Sequence, residues 1–361
     1  MARIVIFLCI LFIILLIAFG VWSFFTQSNE SAATGRIRPK ILTVTMDQDG
    51  DPQTTSNGEA SAWVQNDKLD QKVDLVGGNG PVYCNAAYEH CLVITGVGVM
   101  NASATLMALG LSEKFDLSKT YIMVAGIAGT KPEKATIGAA AWAEYIVYGG
   151  LADGMDPRES GFDWDYLLAR LGCTTSWCDQ GAYVVGTEVH HLNPTLRDWA
   201  FRLSEQVPLA DNAQAEAARA LYPQENARRK PFVTKCDGLM TDTFWTGTRM
   251  SDWATWWVSQ QTKGAGTYCM AAFEDSGTLT ALNRLAASGR IDLKRVMVLR
   301  AASDFDQQHP GQTALESLQA SLNDSTGGGD IALENLYRVG SVVNAYILQN
   351  WNEWEKGVPP E

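Results

Sequence analysis

Basic residues are in short supply: 28 Lys and Arg stand against 40 Asp and Glu, for a formal net charge of −12 at pH 7. That argues against a nucleic-acid partner, which asks for a basic face. Histidine is scarcer. His90, His190, His191 and His309 include no pair at ligand spacing such as His-x-x-x-His, so no metal site is expected. The adjacent His190 and His191 point to opposite sides of a strand. No Gly-x-Ser-x-Gly elbow occurs, so a nucleophilic triad is unsupported. A long apolar run occurs once, from Ile4 to Phe25, 22 residues without a charge. That is long enough to span a bilayer. It reads first as an uncleaved anchor, with a cleaved signal peptide as the alternative. Only Arg3 and the amino terminus precede it, which favours a cytosolic N-terminus and places the bulk of the chain outside the cytosol, anchored by one span or secreted.

Cysteine usage fits that compartment. Of seven cysteines, Cys9 lies in the apolar run and six lie beyond it. Cys84 and Cys91 flank a polar turn between two strand-like pieces, and Cys173 and Cys178 flank Thr-Thr-Ser-Trp. Pairing those neighbours leaves Cys236 for Cys269; buried free thiols are the alternative. Asn29, Asn101 and Asn323 each begin a glycosylation sequon.

The remaining chain has ample material for a core, with 46% apolar residues. Residues 1–25 form the anchor or signal segment, 26–38 a small polar tether, and 39–361 one α/β domain. Strand-like runs at Pro39–Met46, Leu92–Thr95, Thr120–Val124, Ala135–Tyr148, Ala182–Val189, Pro231–Met240 and Val296–Leu299 alternate with helical patterns from Asn101 and at 192–206, 211–221, 249–262, 274–288 and 331–351. Such alternation predicts a sheet covered on both faces.

Several motifs remain open on residues alone. Gly96-Val97-Gly98 follows a strand, but Asn101 stands where a dinucleotide fingerprint has its third glycine, and no acid follows to hold a ribose. No cofactor is expected. The pair serves either as a tight turn or as a cradle of backbone N–H groups for a polar ligand. Carboxylates arrive from three strand ends: Glu59, Glu274-Asp275, and Asp304 with Asp306. Each alone reads as a loop or helix-start acid; together they could supply the acid and base of glycosidic cleavage. Trp253, Trp256 and Trp257 sit at helical spacing and read as core, whereas Phe244 and Trp245, at a strand exit beside Asp242, could wall a planar ligand.

Taken together, "ITGVGVMNASATLMALGLSEKFDLSKTYIMVAGIAGTKPEKATIGAAAWAEY", "DTFWTG", "GTYCMAAFEDSGTLTAL" and "LRAASDFDQ" resemble the fungal and bacterial purine nucleoside permease family, from Pro39 to Pro359. That family in turn is similar to the nucleoside phosphorylases and nucleosidases, which implies a single three-layer α/β domain with a mixed central sheet. Thr95, Gly96 and Gly98 resemble the turn facing the reaction centre, and Ala125–Gly129 a second glycine turn. Asp242, Phe244 and Trp245 resemble the base-lining segment. Phe273-Glu274 stands where a Met-Glu pair binds the sugar, Glu274 taking the ribose hydroxyls. Ser303-Asp304 resembles a Ser-Asp pair whose Asp protonates the purine, and Glu59 is matched to the Glu that activates water. Asp306 has no counterpart and reads as a capping or structural acid.

The departures matter. Phosphorylases carry arginines for phosphate after the first strand and before the second glycine turn. Here residues 47–62 hold no Arg or Lys, and Met123 occupies the second place. A phosphate dianion without a cationic partner is badly served in a dry site. The resemblance therefore implies a purine nucleoside ligand, with hydrolysis or binding alone ahead of phosphorolysis. A pore or carrier needs several spanning elements with paired backbones, and this sequence offers one. The expected function is purine nucleoside binding with N-ribosyl hydrolysis linked to uptake; the alternative is a non-catalytic transport component or receptor. The resemblance also implies a homo-oligomer, although no interface is identifiable in the sequence.

Overall fold

The computed structural model describes residues 35–156, 159 and 168–359. The run Ile4–Phe25 lies outside them, and among the described residues no helix is long and apolar enough to cross a membrane.

The strands are β1 (Ile41–Thr45), β2 (Gln71–Val73), β3 (Val82–Cys84), β4 (His90–Ile94), β5 (Tyr121–Thr130), β6 (Ala140–Trp142), β7 (Tyr145–Tyr148), β8 (Ala152–Gly154), β9 (Leu168–Arg170), β10 (Val189–His191), β11 (Val233–Lys235), β12 (Asp237–Met240), β13 (Tyr268–Ala272) and β14 (Val296–Phe305). The helices are α1 (Ser61–Asn66), α2 (Val99–Leu111), α3 (Pro194–Ser204), α4 (Ala213–Ala220), α5 (Thr248–Gln261), α6 (Asp275–Ala287), α7 (Ala314–Leu322), α8 (Gly328–Gln349) and α9 (Trp351–Trp354).

All of the strands except β8 and β9 join one mixed sheet, and from Arg38 onward the chain is one unit. Its axis is β5, an unbroken ten-residue strand. The first half of β5 pairs in parallel with β1, its last residues pair antiparallel with β13, and β14 runs parallel along nearly its whole length. Every residue of β1 is buried, and so is almost every residue of β5 and β14. A strand buried on both sides reads as a continuous apolar run, which is why these three were legible. Helix α8 covers β14, β5 and β6, while α5 rests on β12 and β13 and α6 on β7 and β10. Trp253 and Trp257 of α5 are buried against Leu239 and Val147, as their helical spacing predicts.

Disulfides join Cys84 to Cys91, Cys173 to Cys178 and Cys236 to Cys269, as the sequence spacing favoured. Cys84 and Cys91 are also directly opposite across β3 and β4, so the first bridge closes a hairpin.

Two expectations need correction. Ala182–Val189 is not a strand; β10 starts only at Val189. Tyr183, Val184 and Val185 are exposed, and the Glu188 carboxylate accepts the Val185 and Gly186 N–H groups, folding the segment back on itself. Alternating apolar residues without a surface to bury cannot hold a strand. Nor is Ala125–Gly129 a turn, because β5 runs straight through it.

Candidate functional site

The carboxyl ends of β1, β5, β12, β13 and β14 meet at one cavity. Glu59, Phe244, Trp245, Phe273, Glu274, Ser303 and Asp304 all line it, so seven residues singled out from sequence converge although they lie up to 245 positions apart. Met46, Ile127, Gly129, Arg300 and Asp306 complete much of the wall.

Glu59 sits just before α1 and turns inward. One carboxylate oxygen accepts the Met46 and Asp47 N–H groups at 2.8 and 3.1 Å, and the other accepts the Ile127 N–H at 2.7 Å. Burial pushes its pKa up to about 7, against the attraction of Arg300 and helped by Glu274. A carboxylate that changes charge near neutral pH suits a general base.

Arg300 is the residue that sequence reasoning missed. It rises from the middle of β14 and is buried. Its Nε and Nη2 donate to the two oxygens of Asp275, Nη2 also reaches Glu274 at 3.1 Å, and Nη1 donates to the Ile127 carbonyl at 2.8 Å. The Ile127 peptide is thus held on both sides, its N–H by Glu59 and its C=O by Arg300. This explains Gly126: a Cβ there would lie 2.5 Å from Arg300 Nη1 and 2.7 Å from Glu59 Oε1. The glycine serves close approach within a strand. A charged residue inside an otherwise apolar strand, "VMVLRAAS", was the available signal.

Asp304 owes its aim to an irregularity. The β14–β5 register shifts between Ala302 and Asp304, so Ser303 is an extra residue opposite β5. Bulges of this kind redirect side chains beside active sites. Ser303 Oγ donates to Asp304 Oδ1 at 2.9 Å and Ser321 Oγ donates to Oδ2 at 2.6 Å. Burial raises the Asp304 pKa, with the two serine hydroxyls opposing. Asp306 lies on the same side. Its Oδ2 accepts from Tyr268 at 2.7 Å and from Ser251 at 2.9 Å, and Lys131 backs Ser251 at 3.1 Å. Burial pushes Asp306 up to about 7. It shares the cavity wall with Asp304.

The glycine turn behaves differently from expectation. Thr95, Gly96, Gly98 and Asp242 do not line the cavity. Thr95 is fully buried, its hydroxyl on the Gly96 carbonyl. Gly98, at φ +94°, turns the chain into α2. Two N–H groups at that helix start are taken by side chains: Gly98 donates to Glu274 Oε1 at 3.3 Å and Val99 to Asp242 Oδ1 at 3.0 Å. Asp242, also bonded to the Tyr148 hydroxyl, acts as the anion at a helix N-terminus. Phe244 stands 45% exposed at the mouth with its ring 6.1 Å from Phe273, forming an aromatic rim. No group of metal-ligating side chains occurs among the described residues.

Residues 38–359 match the family described as Purine nucleoside permease. A probable purine nucleoside permease of Schizosaccharomyces pombe is 33% identical over 88% of this chain and 91% of its own length. A purine nucleoside permease of Candida albicans is 37% identical over 78% of this chain and 71% of its own length. Among solved structures, a 5'-methylthioadenosine/S-adenosylhomocysteine nucleosidase from Helicobacter pylori aligns with a TM-score of 0.51 at 10% identity, covering 85% of this chain and 99% of that one. At that identity the likeness is one of fold.

Proposed function

The chain belongs to the purine nucleoside permease family, and from that premise we propose that it binds purine nucleosides outside the cytosol and cleaves them by N-ribosyl hydrolysis, linked to nucleoside uptake. The observation that carries this reading is the gathering of Glu59, Glu274 and Asp304 around one cavity, two of them with carboxyls raised by burial. Asp304 protonates the purine at N7 so that the base leaves neutral. Glu59 takes a proton from the attacking water. Glu274 holds the ribose hydroxyls with Phe273 beneath the sugar, and developing oxocarbenium charge is stabilised by the nearby carboxylates. Phe244 and Trp245 wall the base. Thr95, Gly96, Gly98 and Asp242 act behind the site by fixing the start of α2 and, through the Gly98 N–H, Glu274.

Water is the nucleophile in this reading. Arg300 is the one cation among the cavity residues, and its guanidinium is committed to Asp275, Glu274 and the Ile127 carbonyl. Those bonds leave at most one Nη1 hydrogen for a phosphate dianion. Residues 1–25 anchor the domain to the membrane, 26–38 tether it, and 39–361 act outside, where three disulfides can persist.

A second reading has its own support: the relatives carry the name permease, so a nucleoside-capturing component without chemistry would use the same cavity. Incubating the full-length protein with inosine, adenosine and guanosine, with and without phosphate, separates the readings. Hydrolysis yields ribose and free base regardless of phosphate. Ribose 1-phosphate as the main product would restore the phosphorylase reading. Binding with no cleavage of any of the three would leave the capturing component.

A further inference from the structure

Asp304 stands in a wall between two cavities. The first is the site above. The second, about 430 Å³ and partly open to solvent, lies beyond it under α7 and is lined by Tyr222, His309, Gln312, Ser321 and Thr326, with Asp304 at its inner end. Ser321 lines only the second cavity and Ser303 only the first, yet both bond the same carboxyl, one oxygen each. The acid therefore faces the site with Oδ1 and the second cavity with Oδ2. The second cavity is roomy enough to hold water and offers it several polar partners.

Hydrolysis creates a need for such a route. When the C1'–N9 bond breaks, the Asp304 proton leaves on the purine. When the water oxygen bonds C1', its proton passes to Glu59. Each cycle thus ends with Asp304 one proton short and Glu59 one proton over, although the net reaction consumes only water. Glu59 must discharge to solvent and Asp304 must recharge from it. The purine, still in place, covers the Oδ1 side.

We propose that Ser321 relays solvent protons from the second cavity to Asp304 and so restores the acid after each turnover. The Ser321 hydroxyl proton moves to Oδ2 as its oxygen accepts a proton from a hydronium or buffer acid in the second cavity, the proton that Glu59 releases to solvent keeps the balance, and a half-turn of the carboxyl presents the acid proton to the first cavity. Ser321 touches no substrate in this scheme; it is a positioning and relay residue. The inference rests on the hydrolytic reading.

The test compares the first turnover with the steady state. In Ser321→Ala, with enzyme in excess, Asp304 has come to equilibrium with solvent before substrate is added, and the first turnover is expected within about twofold of the parent. Steady-state kcat is expected to fall at least about tenfold, part of the ~10²–10⁴ range of general-acid help, with KM unchanged. Ser321→Thr, which keeps the hydroxyl, and small carboxylic acids added to Ser321→Ala should both restore kcat. An equal loss in both regimes would make Ser321 merely structural and overturn the relay; so would no loss in either. A parent that never cleaves nucleosides sinks the hydrolytic reading and the relay with it, whereas a cleaving parent with an indifferent Ser321→Ala sinks the relay alone.

Discussion

Arg300 and Asp275 are joined by two hydrogen bonds in the interior, Nε to one carboxylate oxygen at 3.0 Å and Nη2 to the other, and neither side chain reaches solvent. The pair is bidentate and keeps the guanidinium plane fixed beside Glu274. Removing one partner of a buried ion pair strands the other charge, at a cost of ~3–5 kcal/mol. Asp275→Ala should lose about that much in urea denaturation, although Asp275 does not line the cavity. A loss under about 1 kcal/mol would show that water replaces the carboxylate there.

Gly126 and Gly129 make a paired comparison within β5. A Cβ at Gly126 would collide with Arg300 and Glu59, whereas at Gly129 the nearest atom is Asp304 Oδ1 at 3.6 Å, an ordinary contact. Gly126→Ala should therefore cost ~1–3 kcal/mol, as overpacking does, and displace Glu59. Gly129→Ala should cost under ~1 kcal/mol. Thermal melts of the two variants side by side decide it; equal effects would contradict the close-approach role.

Glu59 links folding to pH. Its folded pKa of about 7 lies above the ordinary 4.5, so between those values the folded state holds more protons than the unfolded one. Stability from this group is fully present below about 4.5 and is lost as pH rises through about 7. The interval corresponds to roughly 3 kcal/mol at ~1.4 kcal/mol per pH unit. Glu59→Gln should flatten the fall in stability between pH 4.5 and 7 by about that amount, measured by urea titration across the range. Turnover should run the opposite way in the parent, rising through about pH 7 as the base ionises.

Asp304→Asn keeps shape and one hydrogen-bond donor but transfers no proton. Turnover should drop by roughly 10²–10⁴ with nucleoside binding largely kept. Asp306→Asn should affect turnover much less, since Tyr268 and Ser251 both hold its Oδ2. Glu274→Gln should weaken binding as well as rate. If Asp306→Asn is dead and Asp304→Asn is not, the acid is the other one.

What could be read from sequence was local. Buried strands such as Val296–Leu299, the amphipathic helices from α5 to α8, and hairpin cysteines each advertise themselves within a dozen residues. That Glu59, Glu274 and Asp304 leave strand ends was legible in the residues, whereas a separate role for each came only through resemblance, because no local pattern distinguishes three acids at one sheet edge. The partners of those acids were not legible. Arg300 looked like an anomaly in an apolar strand, and only the tertiary pairing shows that it serves Asp275. Asp242 read as a ligand contact through the resemblance of its segment to one that lines a base, but the helix start it caps is 143 residues earlier in sequence. The register shift at Ser303 leaves no mark in composition, since small residues suit a plain strand exit equally well.

The position of β14 bears on how the protein comes to life. It is the last strand in the chain, yet it lies between β5 and β6 and pairs with both, so two earlier strands must wait for it. It also delivers Arg300 and Asp304 in one stroke. Pairings across such long separations form late and slowly, because the chain closes large loops before it gains the contacts. A nascent polypeptide that has emerged only as far as α6 carries Glu59 and Glu274 but neither the acid nor the guanidinium that braces them. The cavity wall is therefore completed only with about the final fifth of synthesis, and a growing chain exposes an open seam along β5 until then.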